Sequence, residues 1–237
     1  GGIYPFLHSI RAAVPKAPDR YDKREAEALL AEYEDDDIPE DKKVHVVMTM
    51  LEAFCDFSDL TDAITENDPY ADYHALQAES YTGQLFTNIF AGGTINTERC
   101  ALTGFSTSLL PTGSIPYVEY ADGEFPCYPR FLKEQGYKTI ALHPYDPTIY
   151  SRNRAYPAMG FDEFYSQDDF DDPEKHGAYI DDVETAKKLI ELYEQATADG
   201  GNVFLHTVTM QNHIPNDPQE YAEEYKVNAE LPGMPQY

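Results

Sequence analysis

The stretch Phe90-Ala-Gly-Gly-Thr-Ile-Asn-Thr-Glu98 constrains the fold more than any other, because it reads as an apolar strand that turns through two glycines into a helix. A glycine pair lets the backbone turn sharply and come close to a ligand. The helix predicted over Thr94 to Gly104 aims unpaired N–H groups and the positive end of its dipole at the same place, which favours an anion. Thr94 stands at that junction, and its hydroxyl has two readings: an N-cap for the helix, or a nucleophile presented to a bound anion. The stretch alone leaves both open.

A strand, a tight turn and a helix in that order belong to an α/β fold, and other segments agree. Val44 to Met50 is nearly continuous β-prone apolar sequence, predicted to be a strand buried on both faces of a parallel sheet, and Glu52 follows it. Tyr81 to Phe90 is predicted to be a second strand. Tyr137 to Leu142 is a third, ending on His143, and Asn202 to Met210 a fourth, leading to Asn212-His213. Helices are predicted over Lys23 to Tyr33, Asp68 to Ser80, Tyr128 to Gln135 and Asp181 to Ala198. The last of these has Val183, Ala186, Leu189, Ile190 and Tyr193 as its apolar face. Leu109 to Gly123 and Pro144 to Phe161 read as loops, the second carrying Tyr150, Arg152, Asn153 and Arg154. The expected architecture is a mostly parallel central sheet flanked by helices. Residues 1–43, Pro-rich and then charged, are expected to be a leader packed on a domain spanning 44–237.

In open α/β sheets ligands collect at the carboxyl ends of the strands. Glu52, His143 and His213 each follow a predicted strand, and Thr94 follows another. Arg152 and Arg154 form a basic island in a very acidic chain. Each residue alone has an ordinary reading: a loop charge, a structural histidine, an arginine paired with a nearby carboxylate. Four polar groups at equivalent topological positions indicate a site.

Composition narrows the partners. With 43 acidic residues against 17 basic ones, a net charge of -26 excludes nucleic acid, whose backbone needs clustered Lys and Arg. The acidic runs Glu34 to Asp37 and Asp168 to Asp172 lack the alternating ligands of a calcium loop and read as solvated surface. Cys55, Cys100 and Cys127 show no C-x-x-C metal spacing. No apolar run approaches the roughly 18 residues that span a bilayer. No signal peptide opens the sequence, and the starts at Gly1-Gly2 and the end at Tyr237 are expected to be cuts in a longer chain.

Met50-Leu-Glu52-Ala-Phe54, Gly92 to Glu98 with Leu102-Thr-Gly104, Lys133 to Thr139 and Asn212 to Pro215 together resemble the extracellular catalytic domain of the lipoteichoic acid synthase family. That family is the phosphoglycerol transferase branch of the sulfatase and alkaline phosphatase superfamily, and the resemblance runs from about residue 44 to 215. It implies a divalent metal, Mn²⁺ or Mg²⁺, held by Glu52 and by the nucleophile Thr94. It implies that His143, Arg152 and His213 grip a phosphoglycerol group, with Tyr150 where relatives have Trp. The implied reaction takes glycerol phosphate from the head group of phosphatidylglycerol to a glycerophosphate polymer or glycolipid acceptor, through a covalent Thr94 intermediate. Its implied place is the extracellular face of a bacterial cell membrane, with membrane segments outside this chain.

Two features depart from the family pattern. Ala53 stands where the family has Ser. The family's Asp-His pair of metal ligands, which follows a later strand, has no counterpart before Tyr237. The resemblance therefore implies a C-terminally incomplete domain, missing the last strands of its sheet and open to being inactive at this length. Two other classes stay open. One is a phosphodiester or sulfate-ester hydrolase, for which Cys127-Tyr-Pro129-Arg130 falls one residue short of C-x-P-x-R. The other is a non-catalytic module that binds glycerophosphate.

Overall fold

Apolar and β-branched residues run together in Val46–Met50 (β1), Lys138–Leu142 (β2) and Val203–Val208 (β6), and the remaining strands are the short Glu163–Tyr165 (β3), Lys175–His176 (β4) and Tyr179–Ile180 (β5). The computed structural model describes residues 19–33, 37–56, 58, 68–87, 89, 92–111, 113–120 and 125–214. Its main sheet has the order β1-β6-β2-β3 with every pairing parallel, and β4 and β5 form a separate antiparallel ribbon. Parallel pairing puts all the carboxyl ends on one side, which is what collects Glu52, His143 and His213 along a common edge.

The helices are Lys23–Leu30 (α1), Ala71–Ala78 (α2), Thr94–Thr103 (α3), Pro116–Glu119 (α4), Tyr128–Glu134 (α5), Arg152–Met159 (α6) and Asp182–Thr197 (α7). Side chains alternate across a strand, and the core divides accordingly. Ala141 and Phe204 face a cluster made by Ile95 and Leu102 of α3, Tyr117 of α4, Leu132 of α5 and Tyr156 and Met159 of α6. Ile140, Leu142, Val203 and Leu205 face the other way, onto Leu192 of α7. β6 is buried at all six positions, and each of its apolar side chains, Val203, Phe204, Leu205 and Val208, contributes about 1.5–3 kcal/mol on removal from water.

The expected α/β architecture, with a mostly parallel sheet between helices, is the one observed. Several local expectations change. β1 alternates half-buried and exposed positions instead of being covered on both faces, because it lies at an edge of the described sheet. The strand expected over Tyr81 to Phe90 is absent over 81–87, where Tyr81, Leu85 and Phe86 are exposed; Phe90 lies outside the described residues. A strand needs a neighbour for its N–H and C=O groups, and none among the described residues pairs with this segment. Leu109 to Gly123 was expected to be loop, but contains α4, with Pro116 at its first position, where no N–H is missed. Pro144 to Phe161 contains α6, with Pro157 inside it. Proline removes one internal hydrogen bond there, and burial of Ala155, Tyr156 and Met159 outweighs that loss. In α7 Val183 and Ile190 are exposed, while Thr185 and Leu192 make the buried face.

Of the expected leader, residues 1–18 and 34–36 lie outside the described residues. Ile38 N–H donates to Gln135 Oε1 at 2.8 Å and Lys43 Nζ to the Gln135 carbonyl at 2.7 Å, which ties this approach to the end of α5. α1 buries none of its residues. No described helix is long and apolar enough to cross a membrane.

Candidate active site

Glu52 reaches the carboxyl edge of the sheet on the turn that follows β1. Its N–H donates to Thr209 Oγ1 at 3.2 Å, and Thr209 N–H donates to the Met50 carbonyl at 3.1 Å, so the exits of β1 and β6 are tied together. Ala53 then takes φ 54, a left-handed conformation that costs a side-chain-bearing residue about 1–2 kcal/mol. The carboxylate of Glu52 is 7% exposed and receives a hydrogen bond from Thr94 Oγ1 at 3.0 Å.

The helix geometry sets aside the N-cap reading of Thr94. The N-cap of α3 is Gly93, left-handed at φ 80, and Thr94 is the first helical residue. Its hydroxyl turns away from the helix and donates to Glu52. Gly92, at φ 109, and Gly93 supply a turn that a residue with a Cβ adopts only under strain.

One turn further along α3, Glu98 points inward and is 1% exposed. It accepts from Arg152 Nη2 at 2.7 Å, Tyr156 OH at 2.7 Å and Tyr117 OH at 3.0 Å, and His206 Nε2 lies 3.7 Å away. Burial alone would push this carboxyl pKa up. The Arg152 guanidinium, with His206 and Tyr156, overcomes that and holds it far below its usual 4.5. Burial likewise works against the Arg152 charge, and Glu98 more than offsets it, so Arg152 stays a cation.

Arg152 also donates Nε to Tyr156 OH at 3.2 Å and approaches His143 Nε2 with Nη1 at 3.2 Å. A guanidinium only donates, so His143 Nε2 accepts and Nδ1 carries the proton, toward the Val208 carbonyl at 3.2 Å. Burial first, and then Arg152, lower the His143 pKa to about 3, so this imidazole is neutral at physiological pH. Tyr150 lies with its ring 5.7 Å from the Arg152 guanidinium carbon. Tyr150 and Ser151 are both left-handed, at φ 54 and 58, immediately before α6.

The structure thus brings Glu52 to Thr94, and His143 and Tyr150 to Arg152, with α3 joining the two groups through Thr94 and Glu98. His213 meets Tyr179 instead, 3.3 Å from its OH through Nδ1. The basic island is smaller than its sequence suggests, since Arg152 is 4% exposed and faces Glu98. Cys127 is buried, its thiol donates to the Met159 carbonyl at 3.0 Å, and burial raises its pKa. Those are the opposite of a nucleophile's needs.

The sequence matches the Sulfatase family over residues 45–231. The chain belongs to the sulfatase family. Among relatives of this sulfatase-family chain are a Rhizobium meliloti (strain 1021) protein named for cyclic beta-1,2-glucan modification, 35% identical over 80% of this chain and 29% of that protein. Another is the capsular polysaccharide biosynthesis protein RkpI of the same organism, 31% identical over 60% of this chain and 27% of RkpI. Among solved structures, the lipoteichoic acid synthase LtaP from Listeria monocytogenes superposes with a TM-score of 0.64 at 26% identity, covering 74% of this chain and 43% of LtaP. The phosphoglycerol transferase GacH from Streptococcus pyogenes, solved with sn-glycerol-1-phosphate, gives 0.62 at 25% identity, covering 74% of this chain and 47% of GacH. The chain spans less than a third of the two curated relatives and less than half of the two solved chains. Its fold and family are those of the sulfatase and alkaline phosphatase superfamily.

Members of this superfamily generally use a divalent metal. Glu52 and Thr94 fit that group in kind, offering two hard oxygen donors that meet at 3.0 Å. Among the described residues no cluster of three or more His, Cys, Asp or Glu adds to them. The residues that sequence reasoning missed are Thr209, Glu98, Tyr117, Tyr156 and Tyr179. Glu98 was part of a recognised motif without a role. A glutamate between apolar helix positions Ile95 and Leu102 was the signal that it needed a buried partner.

Proposed function

We propose that this sulfatase-family domain transfers glycerol phosphate from the head group of phosphatidylglycerol to a hydroxyl of a cell-envelope polymer or glycolipid, with Thr94 as the covalent carrier. The observation that carries this reading is the 3.0 Å contact between Thr94 Oγ1 and Glu52 at the carboxyl edge of a parallel sheet. The likeness to LtaP and to GacH, the latter solved with sn-glycerol-1-phosphate, supports the choice of glycerophosphate. The proposed setting is the outer face of a bacterial cell membrane.

In the first half-reaction Thr94 Oγ1 forms a bond to phosphorus. The bond from phosphorus to the diacylglycerol oxygen breaks, and diacylglycerol leaves with a proton. In the second, the acceptor hydroxyl oxygen displaces Thr94, which regains a proton. Glu52 polarises and orients the attacking hydroxyl through their hydrogen bond. Arg152 engages three side chains, and a guanidinium has two N–H groups beyond those, which no hydrogen bond uses among the described residues and which can bind a phosphoryl oxygen. His143 holds that guanidinium from the side of β2, and Tyr150 covers its face. When bound by Glu52 and Thr94, Mn²⁺ or Mg²⁺ supplies charge that lowers the hydroxyl pKa and offsets the phosphoryl oxygens.

The test is mass spectrometry of the native-length protein after incubation with phosphatidylglycerol and Mn²⁺. A glycerophosphate on Thr94 is expected, absent in Thr94→Ala. Continued transfer without that adduct would refute the mechanism.

A further inference from the structure

The ribbon of β4 and β5 has no part in the reaction above, yet its Tyr179 reaches the exit of β6. Tyr179 is 7% exposed, and its ring centroid lies 5.5 Å from that of Tyr145 and 5.6 Å from that of His213. Its hydroxyl donates to the Ile214 carbonyl at 3.1 Å and lies 3.3 Å from His213 Nδ1. The same Nδ1 is 2.7 Å from the Ile214 carbonyl. A phenol has one proton to give, and the carbonyl takes it. Toward Nδ1 the phenolic oxygen can then only accept, and so can the carbonyl. Both neighbours demand an N–H at Nδ1, which leaves a lone pair on Nε2 of the neutral ring. Among the described residues no hydrogen bond engages that Nε2. Ile214 itself is 74% exposed, and Tyr179 is the side chain that fixes its carbonyl.

His143 has the same tautomer, but its Nε2 faces Arg152. Of these two, His213 is the imidazole with a lone pair to offer. β6 lies between β1 and β2, so the chain that leads to His213 leaves the sheet between the exits that carry Glu52 and His143.

We infer that Tyr179 is a positioning residue for the second half-reaction: it holds His213 as the Nδ1–H tautomer, so that Nε2 takes the proton of the acceptor hydroxyl. This deepens the glycerophosphate-transfer reading and rests on it. As the acceptor oxygen bonds to phosphorus its O–H bond breaks and the proton goes to Nε2. The bond from phosphorus to Thr94 Oγ1 breaks, and the imidazolium returns the proton to that oxygen. Atoms and charge balance with no further reactant.

Histidine-ring ¹⁵N–¹H correlation spectra, with His213 assigned by its loss in His213→Gln, test the tautomer without substrate. The wild-type protein is expected to show Nδ1 protonated and Nε2 bare. Tyr179→Phe keeps the ring packing and removes the hydroxyl; it is expected to show a mixture of tautomers. In the native-length protein the same variant should lower the turnover number for transfer by at least about tenfold, while the Thr94 adduct still forms. A protonated Nε2 in the wild type overturns the inference, and so does a Tyr179→Phe variant that keeps either its single tautomer or its full turnover. The wild-type spectrum decides the tautomer even if Tyr179→Phe does not fold. A missing Thr94 adduct in the wild type would instead refute the transfer reading, leaving the spectrum unaffected.

Discussion

Replacing Glu98 by Gln removes one charge and almost no volume, and it should cost the fold heavily. Arg152 is 4% exposed, and Glu98 is the carboxylate paired with it at 2.7 Å. With that charge gone the guanidinium stays buried without a counter-charge, a loss of about 3–5 kcal/mol. Tyr117 and Tyr156 also lose an ionised acceptor. A domain stable by about 5–15 kcal/mol would give up a large part of its margin. At about 2–4 °C per kcal/mol for a chain of this size, the melting temperature should fall by roughly 6–20 °C. Urea unfolding followed by circular dichroism measures the loss directly. Combining Glu98→Gln with Arg152→Met should cost less than the sum of the single changes, because the second removes the orphaned cation. A loss below about 1 kcal/mol, the worth of a solvent-exposed pair, would refute the buried-pair reasoning.

The acid limb gives an independent check on the same network. The folded Glu98 pKa lies far below its unfolded 4.5, so its contribution is present above about pH 4.5 and fades as pH falls below that. His143 drops from 6.5 to about 3 on folding. Between those values the unfolded chain binds the extra proton, so stability falls as pH is lowered through this window. Glu98→Gln should flatten the part of the limb below pH 4.5 and leave the part above it in place.

Other expected outcomes concern single groups. Thr94→Ala should reduce transfer by about 10³-fold or more and Thr94→Ser should retain part of it, as read by release of diacylglycerol. Chelation with EDTA should abolish transfer by the native-length protein, and added Mn²⁺ or Mg²⁺ should restore it; activity that survives chelation would remove the metal from the proposal. Ala53→Gly should relieve about 1–2 kcal/mol of left-handed strain against an entropic cost of about 0.5–1 kcal/mol, so its urea midpoint should stay level or rise. Cys127→Ala should leave transfer unchanged while lowering stability, whereas loss of activity with intact folding would reopen sulfatase-type chemistry at the thiol.

The sheet was legible in the sequence where strands are apolar throughout. β2 and β6 announce themselves by composition, and with them the ends that carry His143 and His213. β1 was found, but its exposure was not, because a run of Val and Met does not say whether a neighbour covers it. α6 was hidden by Pro157, whose local penalty is visible in the sequence while the burial that outweighs it is not. The same holds for the anchor of the site. Glu98 meets Tyr117, Arg152 and Tyr156 across 19, 54 and 58 residues, separations that no periodicity encodes. The pairing of Glu52 with Thr94 came from the resemblance, and 42 residues separate those two as well. Tyr179 could not be anticipated, since its contact with His213 spans 34 residues and starts from a two-residue strand with no periodic signal.

Thr94 and Glu98 are spaced so that α3 presents both on one side, about 6 Å apart along its axis. The half-buried hydroxyl of Thr94 thus inherits its aim from Glu98, which is 1% exposed. Engineering a different side chain at position 94 leaves this mooring intact, whereas a change at position 98 removes the anchor that holds α3 to Arg152, Tyr117 and Tyr156. A search for altered reactivity in this scaffold therefore belongs at position 94 and its surroundings, with the second turn of α3 held constant.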